Sequence, residues 1–177
     1  MNRDHKPLLW AWKLPVKSSK PLILFDRDDT LIQDAGQNNL EKNLEFLPSA
    51  LQSLKILFDQ GYEIGIATNQ SSIGKGTSDI LTLSKFHLAM DRCIHDYTGS
   101  HLSIVAICPH VSEVKCSCRK PKPGLLVEIA DFMGKTPKIL FGNSKSDLDA
   151  ANSFGIRGVQ ITSDNLLSSV YEWLENL

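Results

Sequence analysis

Two groups of residues in this chain have the types and spacing that chemistry needs. Asp26 and Asp28 stand two positions apart at the end of an apolar run, Leu22 to Phe25. Alternate side chains of an extended segment share one face, so both carboxylates enter one small volume. Such a pair can divide labour: one stays ionised as nucleophile or metal ligand, and the other, its pKa raised by its neighbour, serves as acid and base. A divalent cation would relieve their repulsion. The second group gathers three of the four cysteines, Cys108, Cys116 and Cys118, with His110 in one short stretch. That density favours a metal site over a disulfide framework and is consistent with a reducing compartment. Cys93 falls inside a helical pattern away from this cluster and is expected to be a buried small hydrophobe.

The elements that must position these residues alternate along the chain. Short apolar and β-branched runs predict strands at Leu22 to Phe25, Glu63 to Thr68, Leu102 to Cys108, Lys138 to Gly142 and Gly158 to Thr162. Between them lie helical patterns. The first follows Pro48 with Leu51, Leu54, Leu57 and Phe58 on one face and Gly61 as its stop; the second carries Leu83, Phe86, Met90 and Ile94. Further helices are predicted for Pro123 to Met133, Asp147 to Phe154 and Asn165 to Leu177. This alternation predicts an α/β fold: a three-layer, Rossmann-like parallel sheet with helices on both faces. Function in such sheets gathers at the carboxyl ends of the strands. The segments there, Asp26 to Thr30, Asn69 to Ser72, Cys108 to His110 and Asn143 to Asp147, are all polar. Residues 1–20, with two Trp and five Lys or Arg, show no clear period and are read as an N-terminal extension to a domain over 21–177.

Composition narrows the function classes. The 177 residues are 42% hydrophobic and 22% charged, ordinary for one globular domain. A net charge of -1 offers no broad cationic field, so neither nucleic acid nor a membrane surface is an expected partner, and any anion site must be local. No apolar run approaches the roughly 20 residues that cross a bilayer, and the N-terminus lacks a secretory h-region. A cytoplasmic monomer acting on a small molecule is the expectation.

The run LILFDRDDTL, Leu22 to Leu31, resembles the first motif of haloacid dehalogenase-like phosphatases, Asp-x-Asp-x-Thr after a hydrophobic strand. Ile66 to Gln70 is similar to their second motif, Lys120 within Cys118 to Gly124 to their third, and Gly142 to Asp147 to their fourth, all in order. More narrowly, Thr-Asn-Gln-Ser and the loop Cys108-x-His110-x5-Cys116-x-Cys118 resemble the subgroup of heptose bisphosphate and histidinol-phosphate phosphatases. Three thiolates and one imidazole suit a tetrahedral, structural zinc, which would hold Arg119 and Lys120 over the substrate. No separate cap domain fits the short connections between the strands, so the zinc loop, 108–118, would be the main lid.

The resemblance implies a phosphatase in which Asp26 attacks phosphorus to form an aspartyl-phosphate. Asp28 protonates the leaving oxygen and later activates water, Thr68 holds phosphoryl oxygens, and Lys120 neutralises charge. Asn69, Gln70 and Arg119 would bind substrate. Magnesium would be held by Asp26, Asp28, Asn143 and Asp147. Two departures matter: Asn143 stands where most relatives have Asp, and Asp29 where most have Gly. Asn143 weakens the expected magnesium site unless Asp147 compensates. Asp29 must tolerate a glycine-like backbone. A sugar bisphosphate such as D-glycero-D-manno-heptose 1,7-bisphosphate is the expected substrate. Histidinol phosphate, a polynucleotide 3'-phosphate, and a catalytically weak phospho-ligand-binding role stand as alternatives.

Overall fold

The computed structural model describes residues 6–12, 19–34 and 44–177. Its elements run β1 (Leu8–Trp10), β2 (Leu22–Phe25), α1 (Ala50–Asp59), β3 (Glu63–Asn69), α2 (Ile80–Thr98), β4 (Ile104–Cys108), α3 (Gly124–Met133), β5 (Ile139–Gly142), α4 (Lys145–Phe154), β6 (Arg157–Gln160) and α5 (Leu166–Glu175). One six-stranded sheet has the order β1-β4-β3-β2-β5-β6. The pairs among β2 to β6 are parallel, as the alternation of strand and helix predicts. The sheet as a whole is nonetheless mixed, because β1 runs antiparallel to β4.

Strand β2 sits at the centre, every side chain buried, because helices cover both faces. Ile23 and Phe25 enter the cluster formed with α1, α2 and α5; Leu22 and Leu24 enter the other, formed with α3 and α4. The hydrophobic stripes read from the sequence face these cores: Leu54, Leu57, Leu83, Phe86, Met90 and Ile94 are all buried. From β2 the chain builds β3 and β4 to one side and β5 and β6 to the other. The order therefore reverses beside β2, and the crevice at the strand ends opens between Asp26 and Asn143.

Two sequence readings are corrected. Residues 1–20 are not wholly an extension: Leu8–Trp10 forms an edge strand on β4, with Leu8 opposite Ile107 and Trp10 opposite Val105. Nothing in three residues announces that pairing, since its partner is about a hundred residues away. Cys93 lies on the exposed side of α2, one residue before the buried Ile94. Between β3 and β4 the described residues hold α2 and no further element, while residues 35–43, on the way from β2 to α1, fall outside the described ones. Among the described residues no helix is long and apolar enough to cross a membrane.

Candidate active site and metal centre

Asp26 leaves β2 with its backbone N–H donating to the Phe141 carbonyl of β5 at 2.8 Å, so the sheet fixes its Cα. Its side chain meets Lys120, whose Nζ lies 2.7 Å from Asp26 Oδ1 and 2.5 Å from Asp147 Oδ1. The ammonium also donates to the Ala67 carbonyl at 2.6 Å. Lys120 and both carboxylates are buried, a cluster with net charge of one negative unit. Burial pushes the Asp26 carboxyl up to about 6; Lys120 opposes that rise and Asp147 adds to it. Burial alone would lower Lys120, yet the carboxylates of Asp26 and Asp147 hold it above its ordinary value. The group stays an ammonium.

Asp147 occupies a different place from the one expected of a magnesium ligand. It stands at the third position of α4, where its Oδ2 accepts from the Ser144 N–H at 2.9 Å and the Ser144 hydroxyl at 2.6 Å. Its other oxygen faces Lys120. Gly142 permits this approach, since a Cβ there would run into the Asp147 side chain. Asn143 is half-buried at the end of β5, beside the Asp26 strand.

The carboxylate of Asp28 is gripped from two sides. Arg27 Nε lies 2.8 Å from its Oδ1 and Arg27 Nη2 3.0 Å from its Oδ2, while Gln70 Nε2 donates to Oδ2 at 2.6 Å. Gln70 Nε2 also lies 3.0 Å from Thr68 Oγ1. Thr68 and Gln70, both buried, thus join the Asp28 network at the end of β3. Asn69 clamps the Lys120 backbone, its amide nitrogen on the Lys120 carbonyl and its amide oxygen on the Lys120 N–H, both at 3.1 Å. Asn69 and Gln70, expected to bind substrate, thus hold Lys120 and Asp28 in this structure. Asp29 adopts φ 50, the left-handed conformation expected at that position. Its side chain accepts from the Asp34 N–H at 3.1 Å, a local turn that helps Asp take a glycine-like backbone.

The Cys and His residues form a second centre. The ligand atoms of Cys108, His110, Cys116 and Cys118 all lie within 4.8 Å of one another. Cys108 Sγ and Cys118 Sγ are each 3.6 Å from Cys116 Sγ, and His110 Nδ1 is 3.5 Å from Cys108 and 3.3 Å from Cys118. A tetrahedron with bonds of about 2.3 Å has edges of about 3.8 Å, so the spacing fits a four-coordinate ion. Charge fits as well. Hydrogen bonds led by that from Cys118 pull the Cys108 thiol down to about 5, whereas Cys118 is pushed far up by its bond to the Cys108 sulfur. A thiolate at Cys108 thus disfavours a second at Cys118 unless a cation joins them. The loop is fastened to the domain by α3, since a Cβ at Gly124 would strike the Ser117 carbonyl. Arg119 donates from Nη1 to the His110 carbonyl at 3.1 Å, so the Cys/His loop carries both Arg119 and Lys120 to the site.

Fold and site together define the haloacid dehalogenase-like class. A crystal structure of a HAD-like protein from Mesorhizobium loti superposes with a TM-score of 0.77 at 18% identity, covering 97% of this chain and 96% of that one, a likeness of fold alone. The D,D-heptose 1,7-bisphosphate phosphatase of B. bronchiseptica, crystallised with magnesium and phosphate, gives a TM-score of 0.79 at 26% identity over 89% of this chain and 99% of its own. A D-glycero-beta-D-manno-heptose-1,7-bisphosphate 7-phosphatase of Pseudomonas aeruginosa is 30% identical over 147 residues, 81% of this chain and 82% of the relative. The chain belongs to the polynucleotide kinase 3 phosphatase family, whose sequence profile matches residues 21–158.

Proposed function

We propose that the protein is a magnesium-dependent phosphatase of a small sugar bisphosphate, of the heptose 1,7-bisphosphate type, working through an aspartyl-phosphate. The observation that carries this reading is Lys120 Nζ, 2.7 Å from Asp26 Oδ1 at the carboxyl end of the central strand. Asp26 attacks phosphorus with its free oxygen while Lys120 offsets the charge that accumulates on the carboxylate and phosphoryl oxygens. Asp28 protonates the departing alkoxide, then takes the proton of the water that hydrolyses the acyl phosphate. Thr68 lies within the same network, where its hydroxyl can meet a phosphoryl oxygen.

Hard oxygen donors suit magnesium. Lys120 occupies one Asp26 oxygen and leaves the other without a partner among the described residues. The Asp26 carboxylate, the Asp28 carbonyl and the Asn143 amide oxygen would hold the ion, with the unpartnered Asp26 oxygen kept for the attack on phosphorus. When bound, it supplies positive charge to the phosphoryl group. Asp147 holds Lys120 and would compensate only through its charge. Asn143→Asp restores a charged oxygen at this site, and it is expected to lower the magnesium concentration for half-maximal activity several-fold. A magnesium titration of phosphate release checks this; an unchanged midpoint removes Asn143 from the site.

The Cys/His centre is proposed as structural zinc. About one zinc per chain is expected by elemental analysis, and Cys116→Ser should weaken retention by orders of magnitude against a chelator. Failure of metal-free protein to take up added zinc would contradict this.

The substrate reading rests on the named relatives and on Arg119, whose guanidinium stands on the loop that delivers Lys120. An Arg contact to a second phosphate is worth about 1.5 to 3 kcal/mol, or roughly 10- to 150-fold. The test is kcat/KM for heptose 1,7-bisphosphate, histidinol phosphate and an oligonucleotide 3'-phosphate measured together, with the first expected highest and selectively reduced by Arg119→Ala. Preference for the oligonucleotide would favour the activity that the family's description names; the net charge of -1 and the Cys/His loop argue for a small substrate.

A further inference from the structure

Arg27, which stands between Asp26 and Asp28 in the sequence, is buried, and neither the family motif nor the reaction scheme assigns it a task. Side chains alternate along the extended segment that follows β2, so Arg27 points away from the face shared by Asp26 and Asp28, toward α2. Its guanidinium curls back to take both oxygens of Asp28, at 2.8 and 3.0 Å. The remaining nitrogen, Nη1, lies 3.2 Å from His87 Nε2, and Cζ lies 4.9 Å from the Phe86 ring centroid. A guanidinium can only donate, so His87 Nε2 must accept and the imidazole must be the neutral form with its proton on Nδ1. Burial, and then the charge of Arg27, hold the His87 pKa well below its ordinary value, in keeping with that neutral form. Helix α2 thus supplies an acceptor and an aromatic face to one guanidinium, and the guanidinium supplies a fork to Asp28.

We propose that Arg27, held by His87 and Phe86, is a positioning residue for proton transfer: it fixes the plane and direction of the Asp28 carboxylate. The proposal rests on the reading of Asp28 as the acid and base. A planar fork suits this task because two parallel N–H bonds remove rotation of the carboxylate about its Cβ–Cγ bond, which a single donor cannot do. Gln70, donating at 2.6 Å, constrains the same oxygen from the β3 side. Asp28 Oδ1, which among the described residues accepts from Arg27 alone, keeps the lone pair that carries the proton passed to the leaving group.

The choice of leaving group separates positioning from general disruption. A sugar alkoxide needs a proton as the P–O bond breaks, and a nitrophenolate scarcely does. Values of kcat/KM report the step up to acyl-phosphate formation whatever the rate of its hydrolysis. For Arg27→Lys, which keeps the charge and loses the fork, kcat/KM on a sugar phosphate is expected to fall by roughly 100-fold or more, the scale of general acid catalysis. On 4-nitrophenyl phosphate it should fall less than about five-fold. His87→Leu, a helix-compatible change outside the active-site turn, should show the same pattern with a smaller loss, and His87→Gln, which keeps an acceptor, should restore much of it. Equal losses on both substrates, or none, would overturn the proposal. If Asp28→Asn shows no such leaving-group bias while the wild type hydrolyses both compounds, the assignment of Asp28 fails first and the proposal falls with it. If the wild type releases phosphate from neither compound, the phosphatase reading itself fails.

Discussion

Asp26→Asn is expected to lower phosphate release by at least about four orders of magnitude, because an amide cannot form the acyl phosphate on which the proposed reaction runs. The same change should stabilise the fold. Asp26, Lys120 and Asp147 form a buried cluster with one excess negative charge, and the Asp26 carboxyl titrates near 6 against an ordinary 3.8. The folded protein therefore holds a proton that the unfolded chain has released. Stability from Asp26 is fully present below about pH 4 and is lost as pH rises through about 6. At 1.36 kcal/mol per unit the ionised nucleophile costs on the order of 3 kcal/mol above that window in the absence of divalent metal. The Asn variant does not bear that cost, so its gain should appear as pH rises from about 4 to 6 and then level off. Urea midpoints at pH 4.5 and 8 without metal check this. A difference that does not change with pH would contradict the electrostatic account of the cluster.

Lys120→Met should be nearly as severe for turnover, about 10³-fold or more, and far worse for the fold. The substitution leaves two buried carboxylates facing one another without a cation, and Asp147 is fully buried. Breaking a buried pair in this way costs about 3 to 5 kcal/mol. Adding Asp147→Asn to the variant removes one of the stranded charges and should recover much of the stability and none of the activity. Denaturant unfolding of the two single variants and the double variant measures the coupling directly. Additive losses would show that Lys120 and Asp147 do not interact as the 2.5 Å contact implies.

What the sequence reveals of this site depends on range. Asp26 and Asp28 are legible because their relation is local: spacing along one strand end sets which face they share, while the backbone angle of Asp29 is legible only through the resemblance, which puts Gly there. The Cys and His positions are legible for the same reason, since two close pairs on a short loop can surround one ion. Strands β2 to β5 are legible because both faces are covered, which makes each a largely apolar run, whereas the edge strand β6 is only partly buried. Asp147 is harder. The turn that makes it a helix-capping residue also turns its second oxygen to Lys120, and nothing in its neighbours shows that partner. The bracket from Asn69 to the Lys120 backbone and the hold of His87 on Arg27 span 51 and 60 residues. Pairings of that kind come from the order of strands in the sheet, and a single sequence carries no sign of them. Strand β1 is missed on the same ground, for its three residues become a strand only because the β4 edge is there to accept them.

In the proposed mechanism phosphate passes through Asp26 before it reaches water. Each displacement at phosphorus inverts its configuration, so two displacements retain it and one direct attack by water inverts it. A substrate whose transferred phosphoryl group is made chiral with sulfur and oxygen isotopes, hydrolysed in isotopically labelled water, reads the outcome from the thiophosphate released. Retention of configuration is the predicted result. Inversion would show a single displacement by water and would contradict the assignment of Asp26 as nucleophile.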